Sequence, residues 1–418
     1  MELINLKRIK SLLVTPTILL TISQFISLGF SFITSIIIAN SLGLEKFGVY
    51  AFYFSITSIF LLFFRFGYFS SIGVLLVKNH NRTREKELLG AGLVLNIVIG
   101  IFYGLFLYII SDVVTNIFDT DISKYILFTL PFLILLPITM YITQVAQSLH
   151  NFKPLIFFNI SSAIISFTAI LYLYFSQSIL VEYFIYAKII PITILAFIAI
   201  LYYGFNFNNI FKNLILINLK NKKHGFHLYL GQISDQFVYK SDELMISYFI
   251  GNSELGLYKI AQSLTSPFSI LPKNYAISKY RILSNTSYID SIYQNRLIQL
   301  SISMMILGAI FSIFIINYFY TQEYFSAVYI ALILSLIIFF NSIFQLYNNF
   351  LNGHSLGKDT RNNSLKMGII NLIGNIVLIP LFGAIGASIA SALAMFSYYI
   401  FSKITYKNYL NRNENVTN

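Results

Sequence analysis

QISDQFVYKSDELMISYFIGNSELGLYKIAQ, residues 232–262, is apolar enough to cross a bilayer, yet Asp235, Lys240, Asp242 and Glu243 lie inside it. A charge at the centre of a membrane helix costs about 2.5–3.5 kcal/mol on insertion scales, so residues placed there must be paired, wet or functional. The composition decides that the setting is a membrane. The 418 residues are 57% hydrophobic and only 11% charged, with a mean hydropathy of +0.73, beyond what a soluble domain of this length needs to fill its core. Apolar runs of about 20 residues, the length a helix needs to span the hydrocarbon layer, recur along the chain. No soluble domain is left over.

Twelve helices are expected, over 12–38, 47–77, 88–110, 124–148, 154–176, 181–205, 225–250, 255–283, 296–320, 324–352, 361–382 and 384–406. The apolar run after MELINLKRIK is too long for a signal peptide and lacks a small-residue cleavage site, so it reads as a retained first span. With this division the basic residues fall overwhelmingly on one side. They include Lys7, Arg8, Lys10, Lys78, Arg82, Arg84, Lys86, Lys153, Lys212, Lys220, Lys222 and Lys223, and later Lys279, Arg281, Arg296, Lys358, Arg361, Lys366, Lys403, Lys407 and Arg412. The opposite side keeps only Lys46 and Lys124. By the positive-inside rule both termini are cytoplasmic. The net charge of +12 is thereby a topology signal, with no basic domain of the kind that binds nucleic acid. The absence of cysteine excludes disulfides and thiolate chemistry, and the five histidines show no metal-ligand spacing, so neither a metal nor another cofactor is expected.

The basic segment NFNNIFKNLILINLKNKKHG (206–225) divides the chain into an N-terminal six-helix lobe over 1–210, a basic cytoplasmic linker over 211–224 and a C-terminal six-helix lobe over 225–418. A shift of 208 residues lays SLGLEKFGVY (41–50) over FIGNSELGLY (249–258) and pairs Gly43 with Gly251, Gly48 with Gly256 and Tyr50 with Tyr258. The glycines select that shift; Gln24 over Gln232, Arg65 over Lys273 and Lys153 over Arg361 then come with it. Six spans per half give the halves the same orientation, as in parallel repeats with a substrate site between them.

IANSLGLEKFGVYAF (38–52), the Asp242 to Gly251 spacing followed by the E-x-G-x-Y element of GNSELGLYKIA, and IPLFGAIGASIASAL (379–393) together resemble the polysaccharide flippases of the Wzx type. These belong to the MOP superfamily with the MATE exporters and the lipid II flippases. The resemblance implies an all-α integral membrane protein with two MATE-like six-helix lobes around a cavity that opens alternately to either side. It also implies an undecaprenyl-pyrophosphate-linked glycan as cargo in a bacterial inner membrane, with membrane lipids, a polysaccharide polymerase and a chain-length regulator as partners. The charged cavity residues of such flippases vary, so none is carried over to this chain.

Read from the sequence, Arg65, Lys188, Lys240 and Lys273 are candidate cavity cations for a pyrophosphate, since a guanidinium or ammonium pairs well with phosphate in a dry site. Gly67 beside Arg65, and Pro267 and Pro272 beside Lys273, mark helix interruptions. Snorkelling to lipid phosphates explains the same cations, and Lys259, one turn from a helix end, fits that reading better. Asp235 and Asp242, seven apart on one face, are candidates for coupling to a proton or sodium ion, while Lys240 and Glu243 have the spacing to pair along the helix. Asn341, Gln345, Asn348 and Asn352 form a neutral polar stripe suited to sugars, because each amide donates and accepts. Interhelical amide packing accounts for the stripe equally well. A small-molecule exporter is the alternative transporter. A membrane polymerase or ligase is disfavoured because the external connections are short and acidic, the longest being near SDVVTNIFDTDIS (111–123).

Overall fold

The computed structural model of the protein describes residues 16–417 other than His80 and Ser355, and of these the side chains at 16–18, 224, 227, 228, 230–232, 234–239 and 413–417 are not described. Lys7, Arg8 and Lys10, and the side chain of Asp235, therefore lie outside the described residues.

All regular structure among the described residues is helical. That follows from the sequence, because long apolar runs in lipid must satisfy each backbone N–H and C=O within their own segment. The elements are α1 (Pro16–Phe63), α2 (Tyr68–Val77), α3 (Arg82–Phe118), α4 (Ile122–Leu135), α5 (Ile138–Ser148), α6 (Lys153–Phe175), α7 (Val181–Leu201) and α8 (Ile210–Lys220). A π turn at Asn221–Gly225 leads to α9 (Phe226–Phe249), α10 (Asn252–Thr265), a 3-10 turn at Ser266–Ser269, α11 (Ile270–Ser278), α12 (Tyr280–Leu283), α13 (Ser291–Phe319), α14 (Ala327–Gly353) and α15 (Gly357–Thr417). Eight helices among the described residues are long and apolar enough to cross a membrane. Large apolar side chains such as Ile109, Phe175 and Leu381 stand exposed, as they must on a surface solvated by lipid. The protein is a multi-pass membrane protein.

Two of the long helices are each two helices joined at a glycine. Gly43 in α1 has φ 72° and ψ 169°, and Gly383 in α15 has φ 60° and ψ −139°. Only glycine adopts such angles without strain. Each break frees a backbone donor at the start of the next helical segment, and in both cases a carboxylate accepts from it. The Leu44 N–H donates to Glu323 Oε2 at 3.1 Å and the Ala384 N–H to Glu254 Oε2 at 2.9 Å. These are N-caps supplied from a distant part of the chain.

The chain forms two compact units. One contains the residues through Leu42 together with Tyr53–Ile233, and the other contains Gly43–Phe52 together with Ser234 onward. In the first unit the core gathers Ile72, Leu88, Tyr141, Ile142, Val145 and Ile200. Its buried tyrosines find partners, as Tyr141 does by donating to the Leu89 carbonyl at 2.8 Å and Tyr103 to that of Thr57 at 2.8 Å. Helix α8 is seated on this core through Ile217, with Leu214 and Leu216 packed against it. In the second unit, residues 43–52 approach α10 closely because Gly48 has no side chain where the Asn252 backbone passes. Elsewhere in that unit Leu346, Tyr347 and Phe350 belong to one buried cluster, and the His354 ring stacks on Phe350 at 4.1 Å.

Candidate functional site

Asp242 stands in the middle of the charged stretch on α9 and is 2% exposed. Three neutral donors converge on its carboxylate. Tyr258 of α10 donates to Oδ2 at 3.0 Å, Ser391 of α15 to Oδ2 at 2.5 Å, and the Asn375 amide to Oδ1 at 2.5 Å. The donors are themselves tied together: Asn375 Nδ2 also reaches Asn371 Oδ1 at 3.2 Å, and Asn371 Nδ2 donates to Ser391 Oγ at 3.3 Å. Spacing explains the arrangement, since Asn371 and Asn375 are four apart and share one face of α15, while the turn at Gly383 brings the Ser391 segment back beside them. Such a network fixes the carboxylate's position while leaving it bordered by hydroxyls and amides.

A cavity of about 280 Å³ opens beside this carboxylate. Asp242, Tyr258, Gln262, Asn341, Asn371 and Ser391 supply much of its polar lining, and Leu334, Met367 and Met395 part of its apolar wall. It is a mixed surface with one acid.

Glu243, next to Asp242, is 3% exposed. Its ion-pair partner is Lys259 of α10 at 2.6 Å, on the neighbouring helix, rather than the Lys240 that the i, i+3 spacing suggests. The neighbouring helix offers an ammonium to a carboxylate that has almost no water, and a buried acid takes the partner that best compensates its lost hydration. Lys259, whose place near a helix end suggests snorkelling to lipid, is thus an interhelical ion-pair partner.

The amide stripe divides. Asn341 lines the cavity with Asp242, whereas the next residues along α14 satisfy one another. Gln345 Nε2 donates to Asn349 Oδ1 at 2.8 Å, Asn349 Nδ2 to the Ala276 carbonyl at 2.9 Å, and Asn352 Nδ2 to Asn348 Oδ1 at 3.2 Å. Asn352 also accepts from Thr360 at 3.1 Å. Lys240 is half-buried on α9, and Lys273 is exposed on α11 beyond the 3-10 turn that Pro267 initiates. Neither lines the cavity. In the sequence Tyr258 stands out as a repeat match and as the Tyr of the E-x-G-x-Y element, and Ser391 only within a resembling segment; a donor's target is a tertiary property, and neither residue's spacing announces it.

In the first unit, Arg65 lies in the interruption between α1 and α2. Phe66 at φ 46° and Gly67 at φ 77° end one helix and start the next. The freed carbonyls are taken up by the segment that follows α8: Asn221 Nδ2 donates to Phe66 O at 2.9 Å, and the Tyr229 hydroxyl to Phe63 O. The Arg65 Nε is buried and has no hydrogen-bond partner. Lys188, half-buried in α7, donates from Nζ to the Ser31 hydroxyl of α1 at 3.3 Å. Ion pairs among the described residues are Arg84 with Glu87, Lys124 with Glu182, and Lys259 with Glu243, so neither Arg65 nor Lys188 has a described carboxylate partner. No group of three or more His, Cys, Asp or Glu side chains gathers among the described residues.

The fold resembles those of solved membrane transporters at low sequence identity. A lipid II flippase, MurJ, in an inward closed conformation superposes with a TM-score of 0.72 at 15% identity, over 93% of this chain and 87% of its own. An inward-facing MATE family multidrug resistance transporter of the MOP superfamily gives 0.73 at 9% identity, over 97% of this chain and 100% of its own. A eukaryotic MATE transporter gives 0.56 at 16%, over 97% and 98%. No curated protein sequence matches the chain at a significant level. The family model described as "Polysaccharide biosynthesis protein" matches residues 13–272, more than half of the sequence. On that match, and with an all-helical membrane fold of the MATE and MurJ kind, the chain belongs to the polysaccharide biosynthesis protein family.

Proposed function

We propose that the protein is a flippase that carries a polyprenyl-pyrophosphate-linked oligosaccharide from the cytoplasmic to the outer leaflet of a bacterial inner membrane, through twelve spans and by alternating access. The cargo crosses unchanged, so what the protein must supply is recognition and a polar path. The observation that carries this reading is the pair of partly buried cations in the first unit without described carboxylate partners: Arg65 with a buried Nε left unsatisfied, and Lys188 resting on a hydroxyl. A cation kept in a membrane protein without an internal counter-ion is costly unless an anion visits it. A pyrophosphate suits both, and the MurJ of similar fold is a lipid II flippase. Asp242 is the residue we assign to coupling, because a buried carboxylate held by neutral donors beside a cavity can bind and release a proton or a small cation.

The test is surface polysaccharide display in cells whose own copy of the gene is deleted. Arg65→Ala and Lys188→Ala should each abolish display while the protein remains in the membrane at normal level, and Arg65→Lys should retain part of it, since charge survives although the bidentate geometry does not. Full display by the double Ala variant would sink the anion-cargo reading. A second reading, export of small cationic molecules, is favoured by the acid-bearing cavity of the second unit. It predicts resistance to lipophilic cations that is lost in Asp242→Asn, with surface glycan unaffected.

A further inference from the structure

Helix α8 uses one face to fold and leaves the other without a partner. Ile217 is fully buried in the first unit's core, while Phe211, Ile215 and Leu219, each four residues from the next, are 84%, 61% and 52% exposed. This spacing makes one continuous apolar stripe along the outer side of the helix. Phe207, just before the helix, extends it.

The position of α8 says what the stripe meets. The chain leaves α7 at Leu201, and the segment before α8 is fastened to the charged beginning of α3: the Asn206 N–H donates to the Lys86 carbonyl at 3.0 Å and the Asn209 amide to Glu87 at 3.3 Å. The first six residues of α3 are Arg-Thr-Arg-Glu-Lys-Glu, before its apolar run begins. Helix α8 therefore lies level with the boundary between the apolar span and its charged end. Along its own stretch of the chain the charge has one sign, although Glu85 and Glu87 of α3 stand at its start. Between Glu182 and Asp235 the sequence has no acidic residue, and Lys212, Lys222 and Lys223 are exposed beside and just beyond the stripe. An exposed apolar stripe flanked by lysines at that depth matches an interfacial helix that inserts its apolar face at the headgroup boundary.

We infer that α8 is a docking helix for anionic phospholipid, with Phe211, Ile215 and Leu219 seated among the upper acyl chains and Lys212, Lys222 and Lys223 holding the headgroups. This holds for either transported cargo. It also has a structural consequence, because α8 continues directly into Asn221, whose side chain accepts from Ser71 at 3.1 Å and donates to the Phe66 carbonyl at the α1–α2 interruption. The lipid-bound helix thus anchors the segment that braces the turn bearing Arg65.

The chain contains no cysteine, so single reporters can be placed at will. Full-length protein with Phe211→Cys, Ile215→Cys or Leu219→Cys is spin-labelled or bimane-labelled and reconstituted in nanodiscs of phosphatidylcholine alone or with phosphatidylglycerol. Spin labels at the three sites should collide with oxygen rather than with a water-soluble nickel chelate, at a depth of roughly 5–10 Å below the headgroups. Bimane at Ile215→Cys should be quenched more strongly by brominated phosphatidylglycerol than by brominated phosphatidylcholine. That preference should fall at least roughly threefold in Lys212→Gln/Lys222→Gln/Lys223→Gln, and in the unaltered lysine background at about 1 M salt. Labels dominated by the nickel chelate would mean a water-facing helix, and labels reached by neither collider would mean a protein-covered one; either overturns the inference. So would equal quenching by the two lipids.

Discussion

Replacing Asp242 by Asn changes the charge and almost nothing else, which makes it the sharpest probe of the buried network. The amide oxygen can still accept from Tyr258 and Ser391, and Asn375 can reverse its own amide to receive the new N–H, so the three contacts at residue 242 survive at the cost of one bond between Asn375, Asn371 and Ser391. Asp242→Ala is different, since it leaves up to three buried donors unsatisfied at about 1–3 kcal/mol each. The expected outcome is that Asp242→Asn abolishes transport with protein level in the membrane near normal, whereas Asp242→Ala loses both. Immunoblots of membranes alongside surface glycan, over a range of external pH and sodium, read the two effects separately. Undiminished transport by Asp242→Asn across that range would remove the carboxylate from coupling. The four charges of residues 232–262 thereby receive separate accounts: Asp242 in the donor network, Glu243 in an ion pair with Lys259, Lys240 half-buried on α9, and Asp235 with its side chain outside the described residues.

At the level of elements, interruptions decide where side chains point. Gly67 beside Arg65 and Pro267 before Lys273 were readable as breaks, because they sit inside apolar runs where a helix former would be expected, whereas Pro272, expected to interrupt the helix too, lies within the first turn of α11. Gly43 and Gly383 also fall where helix boundaries are expected, between 38 and 47 and at 383, but nothing in composition distinguishes a loop from a single left-handed residue that lets helix resume at once. The capping carboxylates Glu323 and Glu254 lie 279 and 130 positions from the residues whose N–H groups they accept, so no local pattern could pair them. A measurable consequence follows from the Gly383 geometry. Its φ of 60° with ψ −139° strains any side chain, and an added Cβ would meet the Glu254 carboxylate. Gly383→Ala should cost about 1–3 kcal/mol and lower the melting temperature of the detergent-solubilised protein. Gly357→Ala, where the added atom has open space, should leave it nearly unchanged. Equal melting temperatures for the two variants would mean that the break is not fixed in the way described.

For the whole molecule, the all-helical membrane class was legible because bilayer physics leaves few alternatives, and the resemblance in three short segments pointed to the fold that the structural comparisons share. The composition of the units was less legible: residues 43–52 group with the second half because Gly48 admits the Asn252 backbone, a contact between residues far apart in sequence. What the charge pattern does predict is orientation, and the first unit offers an independent ruler for it. Helix α3 has 37 residues, about 55 Å at 1.5 Å per residue, longer than the roughly 30 Å hydrocarbon layer, so its ends emerge on opposite sides. Arg82, Arg84 and Lys86 mark the first end and Asp119 and Asp121 follow the second. Hydrogen bonds from Asn206 and Asn209 fix the approach to α8, and with it the lysines at 220–223, to the first end. The positive-inside rule predicts that this end is cytoplasmic. Reporters active only in the periplasm should work when fused after Thr120 and fail when fused after Lys222, and the reverse pattern would overturn the orientation. Matching activity at both sites would contradict the ruler itself, because it would require both ends of α3 to lie on the same side of the membrane.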